Sequence, residues 1–336
     1  MTNLYTTLQK LCACPSVSGR EERIREMLRE MIAPFCDEVS VDNLGNLIAK
    51  KKGAKADGTK IMLCAHMDEI GFLVTFIEKN GLLRVAPIGG IKSVSAAFTE
   101  VISERGVAGV LVPNTKTKPE DLSTDKLYID LGVKDQKSAE RKVSVGDFFV
   151  LRGGVRRLAG RRICGRPIDD RIGCAVLLSV AERLSRTSLD GDVYYVFSAQ
   201  EEVGGRGALP AAFAIRPDVS LCVDVTGTGD TPGDDAMACS LGEGVAVKIK
   251  DSSLICHEEV VFELCRLAEE NKIPYQREIL LHGGTDASQM QLAGSGSRAG
   301  ALSIPCRYIH SAVELCELGD AEACVALAEQ FVLSIK

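Results

Sequence analysis

The alternation of strand-like and helix-like apolar patterns after Asp169 constrains the fold more than any other feature of this 336-residue chain. Apolar residues recur at helical intervals over 172–184 and 261–268. Runs typical of strands lie at 193–197, 219–223, 245–249, 278–281 and 299–304, and a closing helix begins near Asp320. Such alternation predicts a layered α/β domain with a largely parallel or mixed central sheet. The ligand site of such a domain lies where loops leave the carboxyl ends of the strands.

The N-terminal stretch has a similar character. Ser18 precedes Glu21 by three residues, which is the spacing of a capping box, and apolar residues at helical intervals follow, so we expect a helix near 19–34. Two strands joined by a turn at 42–45 come next. The continuous apolar run 61–65 then predicts a strand that is buried on both faces and ends at His66.

Residues 72–162 have a different sequence pattern. Short β-rich runs alternate with turn residues, and helical periodicity is scarce. This pattern predicts a small, barrel-like all-β domain inserted into the α/β domain. The expected division is therefore a discontinuous α/β domain at 1–71 and 163–336, and an inserted domain at 72–162.

The charge of the chain excludes two classes of partner. A net charge of -6 and a pI near 5.5 argue against nucleic acid and anionic membranes, because both need a basic excess. Residues 1–5 lack the basic start and apolar run of a secretory signal, and the longest apolar stretch, 172–181, is about half the length of a membrane span. We therefore expect a cytoplasmic protein whose apolar stretch is a buried helix.

The thirteen cysteines resemble a disulfide framework only in number. The number is odd, no two form a C-x-x-C pair, and most lie inside apolar runs, as Cys64, Cys174, Cys222 and Cys265 do. We expect them to be small apolar core residues in a reducing compartment and not metal ligands.

Metal-capable residues follow the predicted strands. His66 ends one run, Glu201 and Glu202 follow the next, Asp224 ends a third and His310 follows a fourth. Asp169 opens a helix. Each residue alone is typical of an ordinary hydrogen-bonded side chain or a helix cap. Together at one sheet edge, however, two imidazoles and several carboxylates form a ligand set for zinc, cobalt or manganese.

Two histidines and three carboxylates are too many for one four-coordinate zinc. They suit two metal ions that share a carboxylate and a water. Asp68, two residues after His66, can fix the imidazole tautomer. One of Glu201 and Glu202 can be a ligand while the other takes a proton, and the residue types leave open which is which.

A second region is predicted to face substrate. His282 precedes a glycine-rich turn at 283–286 that leads into a helix. We expect His282, Thr285 and Asp286 to line a substrate pocket.

Taken together, these motifs resemble the dinuclear metallo-aminopeptidases that assemble into tetrahedral particles, with the glutamyl aminopeptidase-like and cellulase M-like proteins. The resemblance covers essentially the whole chain. It rests on Asp-Asn-Leu-Gly-Asn at 42–46, Ala-His-Met-Asp-Glu-Ile-Gly at 65–71, Asp-Asp-Arg-Ile-Gly at 169–173, Gln-Glu-Glu-Val-Gly at 200–204, Arg-Gly-Ala at 206–208, Asp-Val-Thr at 224–226, Gly-Thr-Asp-Ala at 284–287 and Arg-Tyr-Ile-His-Ser at 307–311.

The resemblance implies a role for each candidate residue. Asp169 bridges two metals, one of which is also held by His66 and Asp224 and the other by Glu202 and His310. Glu201 becomes the general base. The peptide bond between Asp169 and Asp170 is expected to be cis.

The resemblance also implies an assembly. The inserted domain becomes a dimerisation domain, and dimers are expected to assemble into a homo-oligomer of twelve subunits. Two segments of this domain, 93–99 and 113–115, are expected at subunit contacts.

The function expected from the resemblance is removal of N-terminal residues from peptides by a metal-bridging water that Glu201 activates. A metal-dependent amidase or deacylase acting on small amides is the main alternative. A glycoside hydrolase would need aromatic sugar platforms, but the chain has no tryptophan and 5% aromatic residues. A non-catalytic metal-binding assembly protein would need no general base.

Overall fold

The computed structural model describes residues 3–232 and 237–336, so Met1 and Thr2 of the N-terminal segment lie outside it. Its helices are α1 Leu4–Cys12, α2 Glu22–Ile32, α3 Ser93–Ala96, α4 Gln136–Glu140, α5 Arg171–Leu184, α6 Ala208–Ile215, α7 Glu258–Glu270, α8 Ala287–Gln291 and α9 Leu318–Ser334. Its strands are β1 Glu38–Val41, β2 Leu47–Lys51, β3 Ile61–His66, β4 Gly71–Ile77, β5 Leu83–Ile88, β6 Thr99–Ser103, β7 Ala108–Pro113, β8 Leu127–Asp130, β9 Phe148–Leu151, β10 Arg156–Arg157, β11 Arg162–Gly165, β12 Val193–Ser198, β13 Val219–Thr226, β14 Val245–Lys250, β15 Tyr275–Ile279, β16 Arg298–Arg307 and β17 Glu314–Glu317.

A mixed sheet of eleven strands forms the larger part of the molecule. Its main order is β1-β2-β12-β3-β13-β16-β17-β11-β10, and β14 joins β15 to β16. The central strands β12, β3, β13 and β16 are parallel to one another, whereas the pairs at both ends of this path are antiparallel. The prediction of a layered α/β domain with a mixed sheet is therefore confirmed.

Strand β3 shows how the layers are organised. All six of its residues are buried. Ile61, Leu63 and Ala65 belong to a core cluster that contains residues of α1, α2, α5, α7 and α9. Met62 and Cys64 belong to another cluster, with residues of α6 and α8. Because successive side chains of a strand point to opposite faces, the sheet is covered by helices on both sides.

The inserted β-rich segment forms a closed antiparallel barrel. Its strand order is β4-β5-β8-β7-β6-β9, and β9 closes the barrel on β4. A separate apolar core fills it, with Phe72, Val101, Leu111 and Phe149 among its buried residues. The barrel strands lie between Gly71 and Leu151, and β10 pairs with β11 in the large sheet. The division at residues 72 and 162 remains a prediction.

The predicted capping box at the start of α2 is wrong. The helix begins at Glu22, and Glu21 precedes it without a side-chain cap. The Ser18 hydroxyl donates instead to Asp68 Oδ2 at 2.6 Å, and Glu21 accepts a hydrogen bond from the backbone N–H of Gln200 at 3.1 Å. Both side chains of the local motif are therefore engaged by loops that are distant in sequence.

Most cysteines are in the core, as expected. All thirteen are free thiols, twelve of them are buried, and Cys36 is half-buried. The apolar stretch after Asp169 lies within helix α5, which is buried along most of its length. Among the described residues, no helix combines the length and apolar character that crossing a membrane requires.

Candidate metal centre

Parallel strands bring four of the predicted metal ligands to one edge of the sheet. His66 ends β3, and Asp224 lies near the end of the neighbouring strand β13. Glu202 and His310 lie in the loops that follow β12 and β16. Asp169 comes from the loop before α5. The predicted convergence of strand ends is present in the structure.

Asp169 lies between the two histidines. His66 Nε2 is 3.0 Å from Asp169 Oδ1 and 3.8 Å from Asp224 Oδ1. His310 Nε2 is 3.2 Å from Asp169 Oδ2 and 3.1 Å from Glu202 Oε2. We call His66, Asp169 and Asp224 the first metal group, and Asp169, Glu202 and His310 the second metal group. Within each group, all the ligand atoms lie within 4.8 Å of one another.

The charges in the two groups fit divalent cations. Burial, and then the charge of Asp169, raise the pKa of Asp224 to about 8. Burial and Asp169 also raise the pKa of Glu202. These carboxyls resist ionisation because they are withdrawn from water and crowd one another. A cation between them would favour the ionised forms, and imidazole nitrogen with carboxylate oxygen is a donor set that zinc, cobalt and manganese accept.

Asp68 lies behind the ligands and is fully buried. Its Oδ1 is 3.4 Å from His66 Nδ1, which is longer than an ordinary hydrogen bond. The same carboxylate accepts hydrogen bonds from the backbone N–H groups of Glu201 at 3.1 Å and Glu202 at 3.2 Å. Asp68 thus faces the imidazole of one metal group and holds the loop that supplies a ligand to the other.

The two adjacent glutamates have different surroundings. Glu202 faces His310, whereas Glu201 belongs to neither metal group. Glu201 lines the same cavity as the five predicted ligands. Burial raises the pKa of Glu201 well above its usual range, and Asp286, Asp224 and Glu202 add to this, whereas bound cations would oppose the shift. A half-buried carboxylate beside the ligands is suited to accept a proton.

The cavity has a volume of about 870 Å³ and extends from the ligands to the predicted substrate-facing turn. His282 is exposed and lines the cavity. Thr285 also lines it, although its hydroxyl donates to Cys222 Sγ at 3.1 Å. The structure therefore brings both residues to the same cavity as the metal groups.

Asp286 has a different position from the one expected. It is buried, and its carboxylate accepts hydrogen bonds from the Ser198 hydroxyl and the Cys64 thiol. Ser198 ends β12, directly before the loop that carries Glu201. This position favours a role for Asp286 in supporting that loop.

Known proteins match this chain over most of its length. The family model of the M42 glutamyl aminopeptidases matches residues 45–327. The chain belongs to this family. It is 34% identical over 345 residues to the lysyl aminopeptidase of Pyrococcus furiosus, covering 99% of this chain and 97% of that protein.

Solved structures give the same result. An aminopeptidase of the archaeon Desulfurococcus kamchatkensis superposes with a TM-score of 0.94 at 36% identity, covering 99% of this chain and 95% of that one. The TET1 peptidase of Pyrococcus horikoshii, described as assembling into a tetrahedron or an octahedral shell, superposes with a TM-score of 0.89 at 32% identity and coverages of 99% and 100%.

The M42 protein is therefore a metal-dependent aminopeptidase and the resemblance inferred from the motifs is confirmed. Membership of the family does not favour the amidase, glycosidase or non-catalytic alternatives. The peptide bond between Asp169 and Asp170 is cis, as the resemblance implies.

Glu314 is a supporting residue of the M42 protein that the motifs did not indicate. Its Oε2 accepts hydrogen bonds from the backbone N–H groups of Ile168 at 2.6 Å and Asp169 at 3.2 Å. Its Oε1 accepts one from the N–H of His310 at 3.2 Å. Glu314 is buried next to Arg166 and so joins two ligand loops. In the sequence, only its position four residues after His310 places Glu314 near a predicted ligand.

Asn46 holds the loop that carries the two glutamates. Its Oδ1 accepts a hydrogen bond from Ala199 N–H at 2.9 Å, and its Nδ2 donates to the carbonyl of Gly207 at 2.9 Å. The motif at 42–46 was informative for the family, but no pattern in the sequence explained its asparagine. The structure provides one, because Asn46 bonds to the backbone at both ends of the loop.

We expect Glu21→Gln to flatten the pH dependence of stability. Burial, and then the charge of Asp68, raise the pKa of Glu21 from 4.5 to about 7. Since the folded state binds the proton more tightly than the unfolded state, Glu21 lowers stability progressively as pH rises from 4.5 to 7, by up to about 3 kcal/mol. Gln keeps the acceptor oxygen and has no charge.

Urea unfolding of wild type and variant over this pH range, at one fixed metal concentration, measures the effect. The variant should gain stability relative to wild type as pH rises. Parallel curves would mean that Glu21 does not titrate on folding.

Proposed function

We propose that the M42 protein removes N-terminal residues from peptides, with Glu201 as the general base and two divalent metals held by the five residues of the two metal groups. The observation that carries this proposal is the position of Asp169, whose two carboxylate oxygens face two different imidazoles. One carboxylate shared between two ligand sets suits two metal ions that lie close together.

The metals, Glu201 and Asp68 have different roles in the proposed reaction. When bound, the metals supply a Lewis acid for the peptide carbonyl and lower the pKa of the attacking water. Glu201 takes the proton of that water and returns it to the leaving amine. Asp68 keeps Glu201 and Glu202 in position through their backbone N–H groups.

Selection of free N-termini is part of the proposal. The α-amine of the substrate would bind beside the two metal groups, so that the first peptide bond reaches Glu201, and the nitrogen of an N-acylated peptide is not free to bind there. His282 and Thr285 line the same cavity, and we propose that they contact the N-terminal side chain.

Replacing Glu201 with Gln should reduce kcat by about 10² to 10⁴, because the amide cannot accept the proton. Glu201 belongs to neither metal group, so metal content should be unchanged. Turnover of a peptide amide and elemental analysis of the purified variant measure the two quantities. Near-normal turnover, or loss of metal, would contradict the assignment of Glu201.

A panel of aminoacyl chromogenic amides tests the substrate class. Amides with a free α-amine should be hydrolysed, and N-acetylated forms of the same amides should not. A chelator should abolish the activity, and zinc, cobalt or manganese should restore it, each to a different degree. Equal rates on free and blocked substrates would instead favour an amidase.

The barrel supports the proposed homo-oligomer, in which dimers assemble into a dodecamer. Val94 is 73% exposed and Phe98 is 77% exposed, and both lie in the segment 93–99 that was expected at subunit contacts. We propose that these two side chains, four positions apart in one short segment, belong to an apolar contact surface, since contiguous exposed apolar patches mark interaction sites. The proposed cytoplasmic location is supported by the buried free thiols, a state that a reducing compartment maintains.

Phe98→Asp should reduce the mass of the assembly measured by light scattering after size exclusion. Phe98 has a φ of +62°, which Asp tolerates better than most residues, so the barrel itself should remain folded. Phe98→Tyr, which keeps the ring, should assemble normally. A wild-type chain that is monomeric at micromolar concentration would contradict the proposal.

A further inference from the structure

A turn of the barrel contacts the second metal group. β5 ends at Ile88, and Gly89 and Gly90 follow it. The carbonyl oxygen of Gly90 lies 2.7 Å from His310 Nδ1, which is a short hydrogen bond when Nδ1 carries the proton. With Nδ1 protonated, Nε2 is left free to face Asp169 and Glu202.

The orientation of His310 needs such a partner. The residue lies in the loop between β16 and β17, has a φ of +64°, and its side chain is 26% exposed. A half-exposed imidazole in a loop is not held by packing alone. The carbonyl of Gly90 therefore provides a fixed direction for the ring, as the hydrogen-bond partners of metal-binding histidines commonly do.

The turn also packs closely against the group. A Cβ added at Gly90 would lie 3.2 Å from His310 Nδ1 and 3.4 Å from its Cε1. A Cβ added at Gly89 would lie 2.6 Å from Ile70 Cγ2 and 3.2 Å from Glu202 Cβ. Two glycines in succession thus let the backbone of the barrel approach two of the three ligands of the second metal group.

The first metal group is oriented differently. His66 is buried at the end of β3, and its Nδ1 faces the carboxylate of Asp68 from the same α/β domain. Its surroundings come from the central strands and the loop after β12. The two imidazoles therefore differ in the domain that sets their orientation.

We propose that Gly90 is a positioning residue for the second metal group, so that the barrel completes the site of one metal and leaves the other to the α/β domain. The inference rests on the proposed assignment of the five ligands. Its consequence is that a change in the barrel turn alters the affinity of one metal selectively. A purely structural role of the turn would instead lower folding stability and affect both metals alike.

Cobalt binding to the metal-free full-length protein, followed by calorimetry and by visible absorption, tests this. In Gly90→Ala the added methyl should displace the imidazole by a few tenths of an ångström, since the φ of Gly90 is not in the left-handed region. We expect one of the two binding constants to fall about 10- to 100-fold and the other to change less than threefold. The cobalt absorption of the weakened site should shift.

Two further variants identify the sites. His310→Ala removes a ligand of the second metal group and so marks the constant that belongs to it. Gly319→Ala is the matched control, because its added Cβ meets no atom closer than 3.9 Å, and both constants should stay at their wild-type values. Metal-free thermal unfolding of Gly90→Ala should remain close to that of wild type.

A backbone substitution keeps the test decisive if Gly90→Ala folds poorly. Replacing Ile91 by its α-hydroxy acid turns the Gly90 amide into an ester, which weakens the carbonyl as an acceptor without adding an atom. The cobalt binding constant of the second metal group should fall in this protein as well. If both cobalt binding constants were unchanged in the ester protein and in Gly90→Ala, or if both fell equally, the role proposed for Gly90 would be overturned. The assignment of the five ligands would not be affected by that result. Fewer than two cobalt ions bound by wild type would overturn the ligand assignment and, with it, the role proposed for Gly90.

Discussion

Asp169 has to present its two carboxylate oxygens to two imidazoles at once, and the rest of the site depends on this arrangement. A small rotation of its backbone would move it toward one histidine and away from the other. Glu314 opposes such a movement, because one carboxylate accepts the backbone N–H groups of both Asp169 and His310. The two loops are therefore fixed relative to each other by a buried carboxyl group that is not among the residues lining the cavity.

Side chains also accept hydrogen bonds from backbone N–H groups in the loop after β12. Backbone N–H groups in an irregular loop have no sheet partner, and leaving them unpaired in a buried place costs free energy. Asp68, Glu21 and Asn46 accept them, so side chains take the place of a hydrogen-bond ladder. Gln200 and His310, both with positive φ, are held in ligand loops that pack against these groups or against Glu314. Irregular backbone that serves the site is thus maintained by fixed polar contacts.

The contrast between regular strands and irregular loops held by distant side chains explains what could and could not be predicted from the sequence. Apolar runs such as β3 have periodic signals, so the layered fold and the position of His66 at a strand end followed from the pattern. Residue types alone left Glu201 and Glu202 equivalent, because only the turn of the loop separates their directions. The contact between Gly90 and His310 joins residues 220 positions apart, and no local pattern carries it. Ser18 resembled a helix cap because tertiary hydrogen bonds to the site override a local rule.

Two buried cations that interact with carboxylates of the metal groups, Arg166 with Glu202 and Lys248 with Asp224, are already engaged by other partners. Arg166 is 3.3 Å from Glu69 and 3.9 Å from Glu314, and Lys248 is paired with Glu278 in a fully buried contact. Breaking such buried pairs to serve another carboxylate would leave an uncompensated charge. Neither cation is therefore available to the carboxylates of the two metal groups, and bound metal ions would compensate those carboxylates. Since the unfolded chain does not bring these residues together, metal ions bound by the two groups would stabilise the folded loops as well as serve the reaction.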